Sequence, residues 1–496
     1  MAEPSATPGE LRDFSHRLSP MLVKELRQGL RSKAFALSFI LLQGGMIIFS
    51  LAAASDRSGG QGSSGVFWFI LGCALLLVMP MRGSEALGSE INSGTMELLF
   101  LTRLSALRIA FGKWIAIFSQ TCLLVVSILP FLILRYYLGG INVVQEIQIL
   151  CLLLLASGVL TAGLIGFSGA NHPLLRLLRI GVMVIGGFFL VVALGNMVMS
   201  FGSIFGTPSF SMWWVVLGAA VYATYFVYAF LDLGASRIAP LGTNHSTRKR
   251  LIGLLAIAVT FGLHFMGLPW GVGFTLVIII ALPLGIESLT EYPTLTRGIL
   301  RPFTETSKVP VLGRLSAHLL APGWHTGYFF YLLLVGLGAL SLSLESSIDG
   351  DGWCAYFVGA AALAFPLLII RLFFRNAPNS FLFYFVIQLA QFLVFLLLLW
   401  IWDDTSFRGS DWVFPFSGLF PLAGFFMGLN EESRWFEILG VAVVIFLLTT
   451  VVVLVTGIGL HTRMSRLFGL VSRKRKIETG EEEEESDEST ATHLNS

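Results

Sequence analysis

Apolar runs of about twenty residues, almost free of charge and separated by short polar or basic connections, recur along the whole chain. A helix rises about 1.5 Å per residue, so roughly 20 apolar residues match a bilayer core near 30 Å. Backbone N–H and C=O groups cannot stay unpaired in lipid, which leaves helices or closed barrels. These runs are too long and too uniformly apolar for barrel strands. Twelve qualify: 34–54, 66–81, 114–134, 147–169, 180–200, 212–231, 251–268, 271–286, 326–344, 353–370, 380–402 and 436–459. The expectation is an all-α polytopic membrane protein of about twelve spans. Only Gly-Leu-Pro-Trp and its neighbours separate 251–268 from 271–286, so one broken helix or a re-entrant pair is also open there. Segment 412–428, with Pro415, Pro421 and Gly424, reads as dipping into the interface.

Only 12% of the 496 residues are charged and 55% are hydrophobic. A soluble protein carries about a quarter charged residues. A water-soluble enzyme, a disordered chain and a nucleic-acid binder are thereby excluded, and a net charge of +2 provides no global field for nucleic acid. Cys73, Cys122, Cys151 and Cys354 are scattered through apolar runs, which suits neither a disulfide framework nor a zinc site. The first 33 residues are polar and charged, so the expectation is no cleavable leader.

Basic residues orient the spans. With both termini in the cytoplasm, only Arg57, Arg135, Arg408 and Arg434 fall outside, and the other 28 of 32 Lys and Arg fall inside. A wrong span count would swap sides partway and destroy this bias. The tail reads Arg473-Lys-Arg-Lys476 followed by Glu481 to Glu485, a juxtamembrane basic anchor ahead of a solvated, disordered acidic end.

Apart from Glu437 at an outer edge, the assigned spans contain no Asp, Glu, Lys or Arg, the usual hardware of ion-coupled transport. His264 alone lies inside and reads as a hydrogen-bonded packing residue. His-Glu-x-x-His, Gly-x-Ser-x-Gly and clustered Cys/His ligands are absent. Energy for any transport must then enter from outside the bilayer.

Two segments carry more information. From Asn92 or Ser93, either of which can cap a helix start, Met96, Leu98, Leu99, Leu101, Leu104 and Leu107 recur at helical spacing, with Glu97, Thr102 and Arg108 at polar positions. This predicts a short amphipathic helix beneath the membrane, ending near Gly112. Earlier, Leu22, Leu26 and Leu30 share one face while Lys24, Arg27 and Arg31 lie elsewhere, as in a helix lying in the interface.

Pro20…Lys24-Glu25-Leu26-Arg27, two spans, then Glu90…Ser93-Gly94-Thr95-Met-Glu97-Leu98-Leu99…Leu101-Thr102…Leu104…Gly112-Lys113 resembles the permease of ABC-2 type exporters over roughly residues 18–140. The resemblance implies that Pro20 to Arg31 form the connecting elbow helix. It also implies that Glu90, Gly94, Thr95, Glu97, Leu98, Leu99, Thr102, Leu104, Gly112 and Lys113 belong to a coupling helix contacting a separate ATP-binding subunit. Arg103 stands where a proline commonly follows the threonine. The location implied is the bacterial cytoplasmic membrane. Gly112-Lys113-Trp114 lacks the glycine-rich phosphate loop, so ATP would be bound and hydrolysed in another chain, and this chain is expected to be a non-catalytic subunit without its own cofactor or metal.

The domain plan is a cytoplasmic N-terminus with the elbow (1–33), a six-span half (34–231), a linker (232–250), a second six-span half (251–459) and the tail (460–496). Both halves have a short second span with a proline near its inner end, Pro80 and Pro283, followed by Glu85 and Glu287, which points to a degenerate repeat. A true repeat would let one chain serve two ATPase subunits, with Arg297 to Leu300 near the second contact; otherwise two chains would pair. A secondary transporter of six-plus-six layout and a non-transporting scaffold are the rival readings, and the substrate cannot be read.

Overall fold

The computed structural model describes residues 20–55, 64–94, 105–138, 143–169, 176, 181, 211–239, 244–265, 270–293, 299, 316–345, 349–374, 380–403 and 412–478. Its regular structure is helical throughout, with no strand among the described residues. Ten of the helical stretches are long and apolar enough to cross a membrane. The chain is an all-α polytopic membrane protein, and it divides into two compact units, Met1–Ala239 and Pro240–Ser496.

In the first unit, α1 (Pro20–Leu30) leads into α2 (Lys33–Ser55). Ser32 makes the corner: its hydroxyl donates to the Gly29 carbonyl at 2.7 Å and accepts the Phe35 N–H at 3.2 Å, capping α2. The second membrane segment is irregular. It runs as α3 (Ser64–Gly72), a π-helical stretch (Cys73–Val78), α4 (Met79–Met81), a 3₁₀ turn (Arg82–Glu85) and α5 (Gly88–Asn92). The sequence pattern suggested a short span ending at residue 81, whereas the helical path continues to Asn92. Pro80 explains the distortion. The Met79 N–H bonds the Ala74 carbonyl, and the next bond in that register would need an N–H that proline lacks. The Leu75 carbonyl left over accepts the Ser157 hydroxyl at 2.6 Å instead.

Three more long helices are described in the unit: α6 (Ala106–Leu138), α7 (Val143–Ser168) and α8 (Ser211–Ile238). Helices α7 and α8 cross backbone to backbone, because a Cβ on Gly166 would stand 2.3 Å from the Phe230 carbonyl oxygen. Small residues let helices approach closely where the surrounding lipid supplies no hydrophobic drive between them. Apolar side chains of α2, α3, α6 and α7, among them Met46, Phe67, Leu71 and Leu124, fill the core. The expected span 180–200 lies outside the described residues apart from Gly181.

The second unit holds α9 (Ser246–Phe265), α10 (Trp270–Thr290), α11 (Trp324–Ser343), α12 (Gly350–Phe373), α13 (Ser380–Asp403), two short helices α14 (Val413–Ser417) and α15 (Pro421–Asn430), and α16 (Trp435–Glu478). Helix α9 covers residues 251–265 of the expected span 251–268, but Arg248, Lys249 and Arg250 near its start keep it out of the ten stretches. Segment 412–428 is the broken pair α14–α15, packed against α12, α13 and α16. A membrane-depth break of this kind is tolerated only where protein buries the backbone. Here a Cβ on Gly418 would stand 2.8 Å from the Ile438 carbonyl.

Three expected boundaries shift. Residues 232–238 finish α8 and 246–250 open α9, so both ends of the 232–250 linker are helical. Helix α16 carries 44 residues, about 66 Å at 1.5 Å per residue, against a core near 30 Å. Residues 460–478 of the expected tail are therefore helix; the acidic run beyond lies outside the described residues. A helix continues past the membrane as long as its backbone bonds are made, whereas a hydropathy window stops at the first charge.

Candidate functional site

In the first unit the polar chemistry concentrates where α1, the end of the second membrane segment and the start of α6 meet. Lys113, only 5% exposed, sits two turns into α6. Its ammonium lies 3.0 Å from Glu25 Oε1 on α1 and 3.0 Å from Glu90 Oε1 on α5. Two carboxylates from different elements thus share one buried cation, and neither could approach the other without it. Arg82 braces the same junction. Its guanidinium donates to the Gly29 carbonyl at 3.1 Å, to Ser32 Oγ at 3.0 Å and to Gln120 Oε1 on α6.

The structure places the expected site residues unevenly. Glu25, Glu90 and Lys113 are brought together. Pro20 opens α1, Leu26 is half-buried, Lys24 and Arg27 are exposed along it, and Arg31 is exposed in the turn just past its end. Gly94 takes φ +68°, a left-handed conformation that glycine adopts without a Cβ penalty, and its N–H bonds the Ile91 carbonyl as α5 ends. Asn92 is the last residue of α5 and Ser93 its C-cap; the helix expected to start after them lies outside the described residues. Thr95, Glu97, Leu98, Leu99, Thr102 and Leu104 lie outside the described residues. Gly112 does not end an amphipathic helix: residues 106–112 are the first two turns of α6, continuous with the third membrane helix.

Sequence reasoning missed six buried charges among the described residues: Arg135, Glu146, Asp232, Lys249, Arg250 and Arg371. The apolar windows stop short of Arg135 and Glu146, yet α6 and α7 run on to include both. Arg135 donates to Glu146 Oε2 at 2.7 Å with its guanidinium 4.2 Å from the Phe67 ring centre. The membrane helices are therefore not free of ionisable groups, because a charge that finds its counter-charge inside the protein need not end the helix. In the second unit Lys249 pairs with Glu287, and Arg250, 2% exposed, donates to Glu291 Oε2 at 2.6 Å. Arg250 also donates to the carbonyls of Leu319 at 2.7 Å and Ala321 at 2.9 Å. The sequence assigns Lys249 and Arg250 to a polar connection, and in the structure both are buried at the start of α9. A basic cluster beside an apolar run, with two glutamates 38 and 41 residues on, carries no spacing signal that distinguishes burial from solvation.

Next to this clamp Gly323 takes φ +134°, and Gly327 passes so close to α10 that a Cβ would stand 1.9 Å from the Ser288 carbonyl oxygen. Ile299 is buried; Arg297 and Leu300 lie outside the described residues. His264 is buried, its ring edge-on to Phe261 and lying over Gly273. No group of three or more His, Cys, Asp or Glu suited to a metal occurs among the described residues.

Each unit thus buries basic side chains against glutamates of another element: Lys113 against Glu90 of α5, and Lys249 and Arg250 against Glu287 and Glu291 at the end of α10. Such a joint transmits displacement: moving one partner either drags the other or exposes an unpaired charge. No family model matches the chain, and comparison with curated proteins and with solved structures gives no match.

Proposed function

We propose that the chain is the membrane permease of an ABC-2 type exporter, driven by a separate ATP-binding subunit. The observation that carries the reading is the Lys113 clamp. The Gly-Thr-x-Glu-Leu-Leu pattern, residues 94–99, falls in the sequence between α5 and α6, and Lys113 ties those two elements to each other and to α1. A partner pressing on 95–104 would move the second membrane segment, α6 and α1 as one body, tilting the unit between two states. In this reading the chain does no chemistry on ATP. It has twelve spans with both termini in the cytoplasm of a bacterial cell, and its second unit is a degenerate copy whose Lys249 and Arg250 clamp does for α9 and α10 what Lys113 does in the first.

Affinity purification of the tagged chain from its native membrane tests this: an ATP-binding-cassette subunit should co-elute, and Glu97→Ala with Leu98→Asp should release it while the chain stays inserted. Association that survives the double substitution would sink the coupling assignment. The intact complex should weigh one permease chain with two ATPase subunits; two chains with two ATPases would retire the repeat. Cysteines at positions 58, 209 and 410 should label from outside, and those at 246 and 489 should not. The buried Arg135–Glu146 pair favours one rival, an ion-coupled secondary transporter. Transport by ATP-free proteoliposomes under an ion gradient would select it.

A further inference from the structure

The first unit contains a cavity of about 560 Å³ between α6, α7 and α8, remote in role from the Lys113 clamp. One wall is an aromatic ladder on α6. Phe111, Trp114 and Phe118 follow one another at helical spacing, with Trp114 stacked on Phe118 at 4.9 Å and 9° and Phe111 at 5.6 Å from Trp114. The ladder is held in place. Trp114 Nε1 donates to the Gly158 carbonyl at 2.9 Å, and a Cβ on Gly158 would stand 3.0 Å from the Phe118 ring, so the glycine is what makes room for it. Ala223, Thr224, Val227, Tyr228 and Leu231 of α8 also line it; the Thr224 hydroxyl is spent on the Ala220 carbonyl, and the Tyr228 ring adds aromatic surface with a phenol hydroxyl. The body of the cavity therefore offers a ligand apolar and aromatic surface.

Among the described residues Arg108 is the one charged residue that lines it; Arg108 is exposed in the first turn of α6, and there its guanidinium meets no carboxylate. Phe111 beside it is 48% exposed, as an apolar side chain facing lipid would be. A ligand that fits must have a long apolar body and one anionic end, and the size suits it, since small-molecule pockets run about 300–1,000 Å³. An amphiphile would enter sideways from the bilayer with its acyl chain along the ladder and its phosphate at the guanidinium. Arginine makes charge-assisted hydrogen bonds to phosphate and is less strongly hydrated than lysine, so it suits an interfacial position. We propose that this cavity binds an acyl chain of an anionic membrane phospholipid, with Arg108 holding the headgroup phosphate. The proposal stands whether or not the chain is an exporter.

Native mass spectrometry of the full-length protein in detergent, titrated with palmitoyl-oleoyl phosphatidylglycerol or phosphatidylcholine, tests it. Wild type should retain phosphatidylglycerol preferentially. Arg108→Gln should weaken that retention about fivefold, the share expected of one basic residue near an anionic surface, and Arg108→Lys should keep most of it. Ala223→Trp, which fills the cavity, should lower retention of both lipids, whereas Arg463→Gln, at an exposed position on α16, should behave as wild type. Three results overturn the proposal: Arg108→Gln indistinguishable from Arg463→Gln, undiminished binding in Ala223→Trp, or displacement of the lipid by inorganic phosphate alone, which would make the site a phosphate contact without an acyl pocket.

Discussion

Substituting Lys113 by Met keeps the apolar stem and removes the ammonium shared by Glu25 and Glu90. Each carboxylate lies 3.0 Å from that nitrogen, so the two acids stand no more than twice this distance apart. At an effective dielectric near 20, two like charges about 6 Å apart repel by ~3 kcal/mol. Breaking a buried pair by deleting one partner costs about 3–5 kcal/mol. The side chains of Glu25 and Glu90 keep 20% and 18% exposure, and water screens part of the repulsion, which brings the expected loss to about 2–3 kcal/mol. Reversible unfolding in mixed micelles, followed by tryptophan fluorescence, measures it. The decisive comparison is the triple variant Lys113→Met with Glu25→Gln and Glu90→Gln. If the loss comes from two carboxylates deprived of their shared ammonium, neutralising both should recover at least half of it. A loss below about 0.5 kcal/mol, or a triple variant no better than the single one, would refute the clamp.

Gly327→Ala should be strongly destabilising, by about 3 kcal/mol or more, because its Cβ would meet the Ser288 carbonyl backbone at 1.9 Å; Gly336→Ala on the same helix meets nothing within 4 Å and should be neutral or slightly stabilising, read by the same unfolding assay. Ser157→Ala strands the Leu75 carbonyl inside the π-helical stretch and should cost about 1–3 kcal/mol, visible as faster hydrogen exchange over residues 73–81.

The apolar runs alone dictate the architecture. Lipid offers no partner to a backbone amide, so a run of twenty apolar residues has one available structure, and ten of the expected spans reappear as helices long enough to cross. The helix at α1 was legible for the same kind of reason, since Leu22, Leu26 and Leu30 recur at the period of a helix. Tertiary structure alone decided which charges matter. Lys113 meets Glu25 from 88 residues away and Glu90 from 23, Arg250 reaches Glu291 from 41, and nothing in those intervals marks the pairs. It decided too how far the helices run, carrying α6 and α7 over Arg135 and Glu146 and α16 to Glu478. Hydropathy is a property of each residue in turn and can be read along a line. The cost of a buried charge depends on what stands within about 4 Å of it, and that distance exists only once the helices have packed.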